Sequence, residues 1–497
     1  MFEDAELGHT VSKGEYAKRS AELRDALLEA QYALKDSKQK FPVIVLIGGV
    51  EGGGRGETVN ALTSWMDPRH VEVNGIGDPS DEERKRPRFW RYWRALPVAG
   101  KIGIFFGSWY TWPIVNSVME EKKPHWSRLE RRVSEINRFE EMLANEGALI
   151  IKFWFHLSRK AQRKRMKELK KDPLTRWRVT SKDEAFFKRY DRFVDVSSHV
   201  LEETSRPHAP WIVVEGADRR YRELTVAQQL LDALTHRLNS PKVASPAASM
   251  PDLSPRVDTK RTVLTELDLT KKLTKVTYEK DLEKWLGKLA LITRHKRFKD
   301  HSAVVAFEGN DAAGKGGAIR RLVGAFDARM VRVIPIAAPT DEEKSHPYLW
   351  RFWRHLPRKA NLAVFDRSWY GRVLVERVEG FCAASDWQRA YSEINDFEEE
   401  MSGHGIVVVK FWLAISKEEQ LKRFKERESV SFKHFKITDD DWRNRKKWDA
   451  YASAVCDMVT HTSTADAPWT LVEANDKHHA RIKVLRTLHE RLEAALD

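Results

Sequence analysis

Short, nearly continuous apolar runs alternate along this chain with longer stretches of mixed charge. Val43 to Ile47 and Ala303 to Phe307 are the clearest runs. Leu362 to Phe365, Ile406 to Trp412 and Trp469 to Val472 follow the same style. Such runs are too short for helices, are rich in Val and Ile, and suit strands buried on both faces of a parallel sheet. A charged stretch with helical character precedes each set, Tyr16 to Lys38 and Tyr278 to Lys296, and further helical stretches separate the strands. Strands alternating with helices predict an α/β fold, a parallel sheet flanked by helices.

The pattern is written twice. Trp90-Arg91-Tyr92-Trp93-Arg94 recurs as Trp350-Arg351-Phe352-Trp353-Arg354, and Ser108-Trp109-Tyr110 as Ser368-Trp369-Tyr370, both 260 positions on. Farther along the offset is 258: Lys152-Phe153-Trp154 matches Lys410-Phe411-Trp412, and Ala209-Pro210-Trp211 matches Ala467-Pro468-Trp469. Colinear matches in rare residues mark a tandem duplication of a whole domain, not a short-period solenoid. Pro241, Pro246, Pro251 and Pro255 stand among Ser and Ala between the copies, which reads as a linker. The expected division is a first domain 1–239, a linker 240–262 and a second domain 263–497.

The second copy carries chemistry. Gly309-Asn310-Asp311-Ala312-Ala313-Gly314-Lys315-Gly316-Gly317 is a G-x-x-x-x-G-K loop directly after a predicted strand and directly before a predicted helix. In that context the glycines let backbone N–H groups curl around a phosphate, and the helix presents its positive end. Lys315 would reach a phosphoryl oxygen. Gly316 replaces the Ser or Thr that usually ligates magnesium, and Asp311 adds a carboxylate inside the loop. A carboxylate among phosphates needs an intervening cation, so Asp311 is a candidate magnesium or substrate-positioning group. Asp366 closes the run Leu362 to Phe365, the pattern of the second magnesium motif of P-loop proteins. Arg367 beside it could clasp phosphoryl oxygens through its planar fork. After Ile406 to Trp412 comes a basic stretch with Lys422, Arg423, Lys425, Arg427, Lys433, Lys436, Arg443, Arg445, Lys446 and Lys447. It occupies the place of a mobile lid, with Arg423, Arg427 and Lys446 as candidate polyanion contacts.

In the first copy, Arg55 stands for Lys315, Glu51 for Asp311, Phe106 for Asp366, Gly107 for Arg367 and Leu169 for Arg427. Arg does not replace a fitted phosphate-binding Lys, and Phe cannot bind magnesium. The first copy is expected to keep its framework and not to catalyse.

Composition narrows the partners. With 497 residues and 41% hydrophobic content the chain can fill more than one core, and its net charge of +14 favours polyanions. Cys382 and Cys456 form neither a disulfide framework nor a zinc pattern. No secretory signal or membrane-length apolar run is read, so a cytoplasmic location without membrane attachment is expected. No recognition helix, RNA-recognition motif or zinc motif is present, which argues against nucleic acid as the partner.

Glu308 to Gly317, Leu349 to Trp353, Phe365 to Tyr370, Lys410 to Leu413 and Ala467 to Trp469 together resemble the family-2 polyphosphate kinases. The resemblance covers the second copy and, weakened, the first. It implies a thymidylate kinase-like P-loop core with a helical lid, and magnesium-dependent transfer of the terminal phosphoryl group of inorganic polyphosphate to a nucleotide. It also implies that Asp311 and Asp366 are the magnesium and acceptor-phosphate carboxylates, with Lys315, Arg367 and Arg427 on polyphosphate. Two fused copies are similar to the branch that converts AMP to ADP. The residues alone leave open an ATP-dependent nucleotide kinase, a nucleic-acid-binding ATPase and a homo-oligomer.

Overall fold

A computed structural model describes residues 2–120, 126–240, 262–429, 437 and 439–497. The expected linker lies almost wholly outside the described residues, as do Lys433 and Lys436 of the basic stretch. The chain forms two compact units, each built on one five-stranded sheet.

The first sheet contains β1 (Val43–Gly49), β2 (Val71–Gly75), β3 (Ile102–Phe106), β4 (Leu149–His156) and β5 (Trp211–Glu215), in the order β2-β3-β1-β4-β5. The second contains β6 (Ser302–Gly309), β7 (Val331–Pro335), β8 (Leu362–Asp366), β9 (Ile406–Ala414) and β10 (Trp469–Glu473), in the equivalent order β7-β8-β6-β9-β10. Every strand pair is parallel. The duplication read in the sequence is therefore a duplication of topology. In both sheets the first strand lies at the centre, and the chain crosses over it between the third strand and the fourth. The carboxyl end of that central strand is where an open α/β sheet collects ligands.

The apolar runs became buried central strands. Strands covered on both faces need no alternation, and β9 is buried along its whole length, including Lys410. Each sheet has its own core, one around Val305, Phe307, Phe411 and Leu485, the other around Val45, Ile47, Phe153 and Leu230. The edge strands β2 and β7 escaped the sequence reading. Val71-Glu-Val-Asn-Gly and Val331-Arg-Val-Ile-Pro are short, and only one residue of each is fully buried. An edge strand shows no continuous apolar run, because one side faces solvent. The leading helices begin earlier than expected, at Lys13 and Lys275, because the Ser12 and Thr274 hydroxyls cap them by accepting from the backbone N–H groups of Glu15 and Thr277. They also end earlier, at Asp36 and Ile292.

A buried polar knot accounts for the repeated aromatic motifs. In the second unit the Lys410 ammonium donates to Glu398 at 2.7 Å, to the Tyr370 hydroxyl at 2.8 Å and to the Thr462 carbonyl at 2.6 Å. Trp369 and Tyr370 donate to the other Glu398 oxygen. Burial pushes the Lys410 ammonium down and the Glu398 carboxyl up, and each partner's charge opposes the shift of the other. The first unit repeats the knot with Lys152, Glu140, Tyr110, Trp109 and Thr204. It lies inside both units, whatever became of their loops.

Candidate active site

The loop after β6 folds as its glycines require. Gly309 has φ of 146°, and a Cβ there would meet the Leu413 carbonyl oxygen at 2.5 Å. Its neighbour Asn310 ties the loop to the end of β9, its side-chain oxygen accepting from the Ile415 N–H. Gly314 is left-handed and opens the helix Lys315–Val323. Gly316 is exposed and nothing crowds it, so after Lys315 the first turn of the helix carries no side chain at 316 and 317. Ala312 and Ala313 are packed inward, and Gly317 lies near the Arg481 guanidinium. Lys315 turns back over the loop and donates to the Gly309 carbonyl at 2.7 Å.

Around this loop the fold gathers the carboxylates and the arginine picked from the sequence. Asp366 ends β8, the strand beside β6, in register with Phe307 and one residue short of Glu308. Arg367 follows in the left-handed region at φ 64°, exposed, with its guanidinium 3.4 Å from the Asp311 carboxylate. The other Asp311 oxygen accepts from the Asn444 amide at 2.9 Å, from the helix Asp439–Lys446. Lys315, Asp311, Asp366 and Arg367 thus share the carboxyl edge of the central strands. Left-handed backbone at a bulky residue costs roughly 1–2 kcal/mol, and such strain persists where a site holds it in place.

The lid reading needs one correction. Arg423 is not a surface base. Its guanidinium is buried behind the loop and donates to the carbonyls of Ala312, Ala313, Ala474 and Asn475. Four carbonyls in one place demand a multi-donor planar group, and Arg423 braces the loop rather than facing a substrate. Arg427 sits half-buried in the last turn of the helix Lys417–Ser429, and Lys446 is exposed at the end of Asp439–Lys446.

Three residues escaped the sequence reading. Glu308 is buried and accepts from both the backbone N–H and the hydroxyl of Ser368, each at 2.8 Å. Burial pushes its carboxyl up, against the opposing pull of Lys315. It stitches β6 to the segment after β8 and thereby sets where Asp366 and Arg367 lie. Asn444 holds Asp311. The Glu379 side chain, 4% exposed, holds Arg443 and Lys447 at 3.1 and 2.8 Å and ties the lid helix to Val375–Glu379. A signal for two of them existed: Glu308 aligns with Gly48 and Asn444 with Phe186, polar groups lost from the first copy just as Asp366 was.

The first copy's loop has supplied its own counter-charges. Glu51 pairs with Arg55 at 2.5 Å, and the Arg55 guanidinium lies over the Phe106 ring. Glu57, at the position of Gly317, is in the first turn of the helix Arg55–Trp65 and draws in Arg165, Arg178 and Arg222. A carboxylate of the chain thus occupies the helix end that would otherwise suit an anion.

Among the described residues no group of three or more His, Cys, Asp or Glu side chains is arranged to hold a metal, and no helix is long and apolar enough to cross a membrane.

The family model described as polyphosphate kinase 2 matches residues 10–242 and again 272–497. A curated polyphosphate:AMP phosphotransferase of Pseudomonas aeruginosa is 54% identical over 497 residues, covering 100% of this chain and 99% of its own length. A protein of the same name from Acinetobacter johnsonii is 40% identical, covering 95% of this chain and 96% of its own. A crystal structure from Pseudomonas aeruginosa, described as that of a candidate polyphosphate kinase 2, superposes with a TM-score of 0.88 at 52% identity, over 100% of this chain and 99% of that one. With the family model matching both halves and the duplicated sheet superposing on a relative over the whole chain, the chain belongs to the polyphosphate kinase 2 family, in both of its halves.

Proposed function

We propose that this chain transfers the terminal phosphoryl group of inorganic polyphosphate to AMP, giving ADP. The observation that carries this reading is the convergence of Lys315, Asp311, Asp366 and Arg367 at one edge of the second sheet. The names of the relatives supply the donor and the acceptor. The second copy, 263–497, is the catalytic one, and the first, 1–239, is not.

Phosphoryl transfer asks for positioning and charge neutralisation rather than covalent help. The N–H groups of 309–317 and the start of the helix Lys315–Val323 receive phosphate oxygens of the donor. Lys315 leaves its loop carbonyls and turns to the transferred group, which bare Gly316 and Gly317 allow to approach closely. Arg367 clasps oxygens of the same group through two N–H donors. The P–O bond to the shortened polyphosphate breaks as a new P–O bond forms to an oxygen of the AMP phosphate. The attacking AMP phosphate oxygen is already ionised, and the bridging oxygen leaves with the bond's electron pair as a phosphate oxyanion of the shortened polyphosphate, so no general base is required. Arg427 and Lys446 lie on lid helices from which they can follow the polyphosphate chain, while Arg423 keeps the loop rigid from behind.

The donor set fits magnesium. Mg²⁺ binds through one or two carboxylates and completes its shell with phosphate oxygens and water, so Asp311 and Asp366 suffice without a third protein ligand. When bound, the ion neutralises charge between donor and acceptor phosphates. The test is ADP formation by the full chain from polyphosphate and AMP, with ATP as alternative donor and GMP as alternative acceptor. ADP dependent on polyphosphate supports the reading. Turnover with ATP and none with polyphosphate overturns it.

A further inference from the structure

Asp311 is held from two sides. Its Oδ1 lies 3.4 Å from the Arg367 guanidinium, and its Oδ2 accepts from Asn444 Nδ2 at 2.9 Å. Behind Asn444 a chain of polar contacts reaches the helix Val375–Glu379. The Tyr451 hydroxyl lies 3.2 Å from Asn444 Oδ1 and 3.4 Å from Glu379 Oε1, while Glu379 Oε2 takes Arg443 at 3.1 Å and Lys447 at 2.8 Å. Burial, with the negative charges of Glu379 and Asp311 nearby, pushes the Tyr451 hydroxyl well above its ordinary value, so it keeps its proton. A carboxylate only accepts, so Asn444 has one favourable orientation, with its N–H₂ toward Asp311 and its oxygen toward Tyr451.

The first copy has lost this chain as a set. Met119 stands for Glu379, Ala185 for Arg443, Phe186 for Asn444, Arg189 for Lys447 and Phe193 for Tyr451, and of these side chains only Arg189 can hydrogen-bond. Yet the helix is there: Ser181–Lys188 occupies the same positions in the repeat as Asp439–Lys446. The polar chain is therefore not what makes the helix form. The buried Lys410 and Lys152 knots, which do serve the framework, are kept in both copies. Polar groups that vanish together with Asp366 and Arg367 serve the site instead. The alternative partner of Asp311 shows what they prevent. A guanidinium fork matches both oxygens of a carboxylate. Freed from Asn444, Asp311 could turn both oxygens to Arg367, which would withdraw the carboxylate from a cation and the guanidinium from a phosphoryl group at once.

We propose that Asn444 is a positioning residue for the reaction: it holds one oxygen of Asp311 so that the other stays open to magnesium, and it thereby links ion binding to the docking of the helix Asp439–Lys446. Glu379 and Tyr451 act one step farther back, by fixing that helix and the orientation of Asn444. The inference rests on the reading of Asp311 as a magnesium carboxylate. Such a link is reciprocal, so whatever the docked helix adds to ion affinity, the ion adds to docking.

Two measurements on the full chain test this. The first is ADP formation from polyphosphate and AMP as magnesium is varied. Asn444→Ala should raise the magnesium concentration for half-maximal rate by about 10–100-fold, the usual cost of removing a group that orients a metal ligand, while the rate at saturating magnesium falls far less. Tyr451→Phe, which keeps the ring and copies Phe193, should shift it the same way by about three- to tenfold, the value of one hydrogen bond. The second measurement is hydrogen exchange of the peptide 439–451 with and without magnesium and tripolyphosphate, which needs no turnover. Exchange in the parent should slow when both are added, and Asn444→Ala should lose that response. Unchanged protection of the strand Ser302–Gly309 serves as the control for folding. The proposal is overturned if Asn444→Ala keeps the parent's magnesium requirement, if it loses rate equally at every magnesium concentration, or if its 439–451 peptide responds like the parent's. A parent that makes no ADP from polyphosphate, yet shows the exchange response and loses it in Asn444→Ala, would overturn the proposed reaction and uphold the link through Asn444.

Discussion

The two loops started from one sequence and ended at opposite solutions for the same electrostatic problem. A strand-to-helix turn with bare N–H groups attracts negative charge. In the second copy that charge is left to come from outside: Gly316 and Gly317 leave the helix end bare, and Lys315 rests on loop carbonyls that it can exchange for phosphate. In the first copy the charge is built in, with Glu51 on Arg55 and Glu57 among Arg165, Arg178 and Arg222. The backbone tells the same story. Ala312 and Arg367 hold left-handed φ values of 64° in the second copy, and both positions are glycine, Gly52 and Gly107, in the first. Where the site keeps its groups, strain is retained; where the groups are gone, glycine has relieved it.

The largest effect should be common to both copies. Lys410→Met leaves Glu398 buried without its cation and should destabilise the second unit by about 3–5 kcal/mol, and Lys152→Met should do the same to the first. Denaturant unfolding of the full chain measures both, and a large asymmetry would mean that the knots are not equivalent. Next in size, Lys315→Ala should reduce ADP formation by about 10²–10³-fold, the scale of losing one fitted donor to a transition-state oxygen, whereas Arg55→Ala should leave it unchanged. Equal losses would end the distinction between a working loop and a retired one.

Arg367→Gly sharpens the comparison, because it copies the first domain's Gly107 into the second. It should lower turnover by about 10²-fold and yet raise stability by roughly 0.5–1 kcal/mol through relief of the left-handed backbone. Lower turnover with lower stability would show that the strain argument is wrong.

The smallest effect is a pH dependence. Burial raises the Glu308 carboxyl above its ordinary value of 4.5. A group raised in the folded state contributes stability that is complete below the unfolded value and is lost as pH rises through the folded one. Glu308→Gln should therefore raise the unfolding midpoint at alkaline pH, with the gap over the parent closing as pH falls toward 4.5. A gap that is constant with pH would mean that Glu308 ionisation is not its source.

Much of this protein was legible without coordinates. Apolar runs such as Ala303 to Phe307 suit buried strands, being short, rich in Val and bounded by Gly. The loop Gly309 to Gly317 declares phosphate through glycine spacing and a lysine at a fixed offset. The duplication followed from rare tryptophans repeated at offsets of 260 and 258, and their retention beside an altered loop pointed to packing, which the Lys410 and Lys152 knots explain. Side-chain direction was not legible. Arg423 and Arg427 look alike in a basic stretch, yet one is buried on four carbonyls, because the helix turn that carries it faces the back of the loop. Glu308 and Asn444 owe their roles to partners far off in the chain, Ser368 and Asp311. Local sequence determined the strands, the loop and the repeat, because periodicity and glycine conformation act over a few residues. Only the tertiary structure decided which charges meet the loop and which support it, because that depends on the direction each helix brings to it across the sheet edge.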